Sequence, residues 1–351
     1  MSKSSAPTFV SARAAGVSPV RVKIGRADLT ATSYLDERQF PLVVTPAIEG
    51  VSLPAWAAEN RDWIDRQLLL HGAILFRGFN VESVERFRAF AAAVSNELLD
   101  YRERAAPRVQ VAERVFTSSE YPANQVIHLH HEMSYSHNWP SKVLFHCRTP
   151  AIEGGRTPIA RERDVFPAID ADVREQFRTK GVMYVRNFGP ELDLSWPEAF
   201  QTNDPQAVEQ YCRRSDIRFE WRGPERLRTV QVRQGVVRHP VTQESVFFNH
   251  AALFHASSLP AAVHRSLSAM LAPEDMPRNV FYGDGSPIEP AVLAEIRRQY
   301  DAHAMRFTWQ AGDVLMVDNF LVAHGRETYS GPRQILVAMA DLYTNSSGDL
   351  S

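Results

Sequence analysis

The sequence predicts a mainly β fold with α-helical insertions, a sandwich or jelly-roll. Three observations carry that expectation. From about residue 108 onward, short apolar runs alternate with Pro- and Gly-containing loops, the spacing of an antiparallel β architecture. Neither GxGxxG nor GxxxxGK[ST] occurs, which removes the two strongest signs of a doubly wound nucleotide-binding sheet. The 351 residues, 44% hydrophobic and 23% charged, match an ordinary globular chain and exclude a disordered, collagen-like or coiled-coil one.

Residues 1–25, rich in Ser, Ala and basic side chains, read as a loosely ordered arm or first edge strand. Residues 59–71 carry a helical pattern, and Gly72 is placed to cap it. Ala73-Ile74-Leu75-Phe76 then reads as a short buried strand. Val84, Phe87, Ala91, Val94 and Leu98 recur at helical spacing, so an amphipathic helix is expected over 82–98. Residues 142–147, 227–237 and 245–248 read as strands, with helical interruptions at 261–272 and 290–302. The last β segment, 313–341, is expected to hold two apolar strands flanking a turn around Tyr329-Ser330-Gly331-Pro332. No repeat or low-complexity linker divides the chain. Residues 26–351 are therefore expected to form a single domain with helical insertions.

Composition also limits function. Lys and Arg total 39 against 41 Asp and Glu, a net charge of -2. No basic excess exists to neutralise phosphates, so nucleic acid is not an expected partner. No run approaches the roughly 18 apolar residues of a membrane span, and the N-terminus lacks the apolar core of a signal peptide. Cys147 and Cys212 cannot build a disulfide framework and are expected to be reduced thiols. A cytoplasmic location is the resulting expectation.

The densest polar cluster is Ile127-His128-Leu129-His130-His131-Glu132-Met133-Ser134-Tyr135-Ser136-His137. On an extended strand His130 and Glu132 share a face, so an imidazole and a carboxylate can reach one metal ion while His131 points the other way. His128 has the parity of His130 and makes a competing pair. Near the C-terminus, His324 follows the apolar run Val314-Leu315-Met316-Val317 and precedes a glycine. The mouth of an apolar barrel is a common place for a ligand site. Two histidines and one carboxylate form a facial triad, leaving positions on an octahedral Fe(II) for a chelating cosubstrate and dioxygen. Arg333, across the turn from His324, is suited to hold a carboxylate in bidentate fashion. Gly154-Gly155-Arg156-Thr157 supplies a tight turn and then a hydroxyl that can donate to the same carboxylate.

Taken in order, HxE, GGxT, DNxxxxHGR and the arginine of GPR make the chain resemble the taurine dioxygenase-like (TauD/TfdA) family over roughly residues 70–341. The run HHEMSYS through GGRTPIA is similar to the branch containing syringomycin-type aspartyl hydroxylases of nonribosomal peptide pathways. The resemblance implies a double-stranded β-helix and a dioxygenase dependent on Fe(II) and 2-oxoglutarate. It implies that His130, Glu132 and His324 bind the iron and form the catalytic centre. Arg333 and Thr157 would hold the distal carboxylate of 2-oxoglutarate. The reaction so implied uses O2 to decarboxylate 2-oxoglutarate to succinate and CO2, coupled to attack on an unactivated C–H bond.

Departures from the pattern bear on the substrate. Glu132 stands where many members carry aspartate, as in the amino-acid hydroxylases of the clavaminate synthase-like group, and a carboxylate there argues against halogenation. Val337 stands four residues after Arg333, where taurine and arginine oxygenases carry an anion-gripping arginine. A free anionic substrate would then need another group, Arg326 or Arg156, unless it arrives as a thioester on a carrier protein. The expected reaction is hydroxylation of an amino acid or amino-acid-derived small molecule, free or carrier-tethered, in specialised metabolism such as antibiotic biosynthesis. The same cofactor chemistry can also desaturate, epoxidise or cyclise, because substrate positioning decides the outcome. Candidate substrate contacts are Ser134, Tyr135, Arg326 and Asn249. Asn249 lies in a stretch, 239–249, similar to HPxTGExxFFN of related hydroxylases, with Gln243 in place of the usual glycine. Trp309 and Phe320 are expected in the core. A silent jelly-roll scaffold and a zinc hydrolase are the competing classes. The intact triad opposes the first, and the Arg333/Thr157 pair opposes the second.

Overall fold

The computed structural model describes residues 29–118, 121–190 and 194–345; the arm expected over 1–25 lies outside the described residues. An eight-stranded sheet forms one wall, in the order Thr30–Tyr34, Leu42–Pro46, Ala73–Phe76, Val314–Asp318, Asn138–Thr149, Gln334–Thr344, Val115–Thr117 and Gln110–Ala112. Only the second and third of these strands pair in parallel. A three-stranded antiparallel sheet, Ile127–His130, Val322–Arg326 and Ile159–Arg161, packs against it. The two together are the double-stranded β-helix.

Strand alternation builds the core between the sheets. Val143 and Phe145, Leu315 and Val317, and Ile335, Val337 and Met339 meet Ile159 and Val322 of the smaller sheet. The intervening residues Leu144, Met316, Leu336 and Ala338 point outward, where the helices Leu53–Glu59, Arg61–His71 and Val84–Ala93 cover them with Trp56, Ile64 and Phe87. A sheet buried on both faces explains why these strands read as unbroken apolar runs. A separate four-stranded sheet, Arg218–Trp221, Leu227–Arg233, Val182–Phe188 and Arg278–Tyr282, packs Tyr184 and Val280 with the helices Ala251–Phe254 and Pro290–His303.

Several expectations are corrected. The helix expected over 59–71 is found at Arg61–His71, capped by Gly72 with φ 78°, and a separate short helix, Leu53–Glu59, precedes it. The helix expected over 82–98 spans only Val84–Ala93, because Leu98 bridges to Ala340 at the sheet. Residues 313–341 hold four strands, not two, namely Val314–Asp318, Val322–Arg326, the two-residue Tyr329–Ser330 and most of Gln334–Thr344: Asp318 Oδ1 accepts from the backbone N–H of Phe320 and Leu321 and turns the chain after the first. The helices Glu162–Ala168, Ala171–Lys180 and Pro205–Arg214 interrupt a region read as strands and loops. They are short, and the middle one buries Phe177 alone, too little to print a helical period on the sequence. Cys147 and Cys212 are buried and unbridged. Among the described residues no helix is long and apolar enough to cross a membrane.

Candidate active site

Strand pairing joins the two halves of the candidate centre. His324 lies opposite His130 in register, with ring centroids 4.6 Å apart. Glu132 reaches the centre differently from the strand-parity expectation. The strand ends at His130, and the chain turns with Met133 at φ 57°. Asn319 makes that turn specific: its side chain accepts from Glu132 N at 2.8 Å and donates to Glu132 O at 2.9 Å and Pro140 O at 2.8 Å. The DN dipeptide beside the His324 motif was the only sequence trace of this clamp.

His130, Glu132 and His324 each present a ligand atom within 4.8 Å of the others. His130 Nδ1 donates to His128 O at 2.8 Å, which orients the ring and leaves Nε2 for the centre. His324 Nε2 lies 3.7 Å from Glu132 Oε2, and its buried Nδ1 has no partner among the described residues. Burial, then neighbouring His324, pushes His130 down to about 3, and burial lowers His324 as well. Both imidazoles are thus neutral donors. Burial alone would raise the Glu132 carboxyl, but Arg108 and His324 hold it well below the usual carboxylate range. Two neutral nitrogens and one anionic oxygen are the donor set of a facial triad, and they fit a divalent iron.

Arg108 was invisible in the sequence, since no motif surrounds it. Its Nη2 donates to Glu132 Oε2 at 2.8 Å with both side chains buried, and its guanidinium lies 4.5 Å over the Tyr101 ring. It lines both hollows that meet at the centre.

The first hollow is a narrow cleft lined by Thr157, His324, Arg326, Arg333 and Ile335. Arg333 Nε donates to Gly155 O at 3.0 Å. Burial, with Arg326 nearby, pushes Arg333 down to about 10, which still leaves a cation at neutral pH. Gly155 has φ 67°, and a Cβ there would come within 2.8 Å of Ala151 Cβ and 3.1 Å of Arg333 Cδ. That position requires glycine. Trp309, a core residue as expected, also donates its Nε1–H to Thr157 Oγ1 at 3.0 Å, leaving the threonine proton for an acceptor in the cleft.

The second hollow is a cavity of about 490 Å³ that reaches His130 and Glu132. Tyr135, His250, Leu253, Phe254, Val263 and Leu267 are among its lining residues. Tyr135 contributes its ring, while its hydroxyl donates to Glu103 O at 2.7 Å. Burial, then His130, holds His250 well below the ordinary imidazole range. His128 lines this cavity, whereas His131 turns away, Nδ1 donating to Asn319 O at 2.7 Å and Nε2 meeting Glu162 Oε1 at 3.0 Å.

Three predicted residues stand elsewhere. Ser134 is fully buried behind His250. Asn249 lines neither hollow; it donates to Gly235 O and accepts from Ala251 N, starting a helix. Arg156 pairs with Glu327 at 2.6 Å outside both. Arg326 does border the cleft, but its guanidinium donates to the carbonyls of Tyr121, Pro122 and Gln125. Val337 is fully buried between the sheets.

Comparison with known proteins agrees with this architecture. The family described as taurine catabolism dioxygenase TauD, TfdA family matches residues 38–339. The dapdiamide synthesis protein DdaC of Enterobacter agglomerans is 40% identical over 278 residues, 79% of this chain and 84% of that protein. A clavaminate synthase-like protein of Arabidopsis thaliana is 29% identical over 325 residues, 87% of this chain and 95% of that protein. PvcB from Pseudomonas aeruginosa has a similar solved structure, with TM-score 0.53 and 17% identity over 92% of this chain and 94% of that chain. A second PvcB structure is described as that of an Fe, alpha-ketoglutarate dependent oxygenase from an isonitrile synthetic pathway; its TM-score is 0.51 at 18% identity, over the same shares of both chains. At such identities the structures speak for the fold alone. The family match and the 40% identical relative go further: the chain belongs to the TauD/TfdA family and is a non-haem dioxygenase dependent on Fe(II), 2-oxoglutarate and O2.

Proposed function

We propose that the enzyme hydroxylates a C–H bond of an amino acid or amino-acid-derived small molecule, free or carried as a thioester on a carrier protein, in specialised-metabolite biosynthesis. One observation carries the reading. His130, Glu132 and His324 converge within 4.8 Å where the cleft bearing Arg333 and Thr157 meets the 490 Å³ cavity. Iron held there together with 2-oxoglutarate would activate O2, the oxidant, one oxygen atom going into succinate as 2-oxoglutarate loses CO2 and the other into the C–H bond.

The side chains do the rest. His130, Glu132 and His324 hold the metal, and Arg108 keeps Glu132 ionised and in place. Arg333 takes the distal carboxylate of 2-oxoglutarate by charge-assisted hydrogen bonds, and Thr157 donates its hydroxyl proton to the same group. Leu253, Phe254 and Val263 keep bulk water from the aliphatic part of the substrate. The relative named for dapdiamide synthesis supports a biosynthetic substrate of amino-acid type.

The test is an anaerobic titration of apoprotein with Fe(II) and then 2-oxoglutarate, following the visible charge-transfer band of the chelate. The band is expected in wild type and absent in His324→Ala. A well-folded wild type without it would overturn the assignment. Succinate release should then rise with a panel of L-amino acids, their amides and their pantetheine thioesters, and a flat response would remove the substrate class.

A further inference from the structure

His250 lines the larger cavity beside His130, with ring centroids 5.0 Å apart, yet it is only 3% exposed. Packing fixes its ring: Tyr135 stands edge-to-face at 4.9 Å and Phe254 at 5.0 Å. Its backbone N–H is held by Tyr184 Oη at 2.8 Å. One ring nitrogen looks inward, Nδ1 lying 2.7 Å from Ser134 Oγ.

That hydroxyl decides the tautomer. Ser134 is fully buried, and among the described residues His250 Nδ1 is the one hydrogen-bond partner of its hydroxyl. A buried hydroxyl has to donate somewhere, so it donates to Nδ1, and the imidazole proton resides on Nε2. Among the described residues Nε2 has no hydrogen-bond partner, and its edge of the ring is the one left for the cavity. A rigid donor at the wall of a largely apolar cavity selects for an acceptor on the molecule that fills it.

We infer that His250 is a substrate-binding residue whose Nε2–H donates to a carbonyl oxygen close to the carbon attacked. The inference deepens the proposed function and rests on it, in taking this cavity as the substrate site. The acceptor is a carboxylate, amide or thioester oxygen, the one acceptor common to amino acids and their derivatives. Such a contact fixes the carbonyl without requiring a negative charge.

Succinate release by iron-loaded enzyme is measured with the best-responding compound of the panel above, in wild type, His250→Phe, His250→Asn and His250→Gln. Phenylalanine keeps the ring without a donor. The asparagine amide reaches only the place of Nδ1, whereas the glutamine amide reaches that of Nε2. The kcat/KM is expected to fall about 10- to 100-fold in the first two variants and to recover in part in the third. The 2-oxoglutarate KM and the anaerobic chelate band should stay as in wild type. Equal kcat/KM in wild type and His250→Phe would overturn the inference and leave the proposed function standing. Loss of the chelate band in all three variants would make His250 part of the metal centre and overturn it too. A wild type that responds to no carbonyl compound would remove the amino-acid reading and this inference with it.

Discussion

The cleft around Arg333 and the cavity around His250 meet at Arg108 and His130, yet they are built in opposite ways. In the cleft, polar groups sit on or beside strands and are tied by hydrogen bonds: Gly155 O holds Arg333 and Trp309 holds Thr157. The cavity draws much of its lining from the short helices and loops of 250–267, and the helix Ala261–Ser268 buries none of its residues. A sheet suits the end of the reaction whose atoms do not change, the metal and its cosubstrate. Loosely packed helical insertions suit the end that has to match one particular substrate.

The largest effect should come from the centre itself. Glu132→Ala is expected to abolish 2-oxoglutarate-coupled hydroxylation while circular dichroism stays that of wild type; undiminished hydroxylation would sink the triad assignment. Arg333→Ala should disturb the cleft alone, raising the 2-oxoglutarate KM about 10- to 100-fold with little change in the Fe(II) requirement. An unchanged cosubstrate KM would count against its role.

On the cavity side, acid should separate the two regions. His255 follows the helix Ala251–Phe254, and its Nδ1 accepts from Ser257 N at 3.0 Å. Burial, then Arg297, brings it from 6.5 to about 4. Between these values the unfolded chain binds more protons than the folded one. Its contribution is therefore complete above pH 6.5 and is lost as pH falls towards 4. Melting curves of wild type should drop more steeply across that window than those of His255→Gln; parallel curves would exclude the contribution.

The smallest effect is expected at Gln243, which takes φ 61°, a left-handed conformation that favours glycine. Its amide donates to Pro240 O at 3.0 Å and to His239 O at 3.4 Å, so Gln243→Gly exchanges these two hydrogen bonds for relief of a left-handed conformation. A gain of up to about 1 kcal/mol in urea melts is expected. A loss would mean that the amide hydrogen bonds outweigh the strain.

The sequence by itself determined the β architecture, the apolar strands and the cluster of chemistry-bearing residues at their ends. Each of those signals is local: a strand end, a paired-glycine turn or a histidine beside a glycine constrains only its neighbours, and so survives in a linear reading. Tertiary structure decided what those residues meet. Arg108 reaches Glu132 across 24 positions, Asn319 reaches it across 187, and Ser134 reaches His250 across 116. It also drew Asn249 into a helix start and turned Glu132 inward by a bend, not by strand parity. Hydrogen bonds of that span exist only once the sheets have closed. No period or spacing along the chain records them, because the energy that selects them belongs to contacts between distant segments.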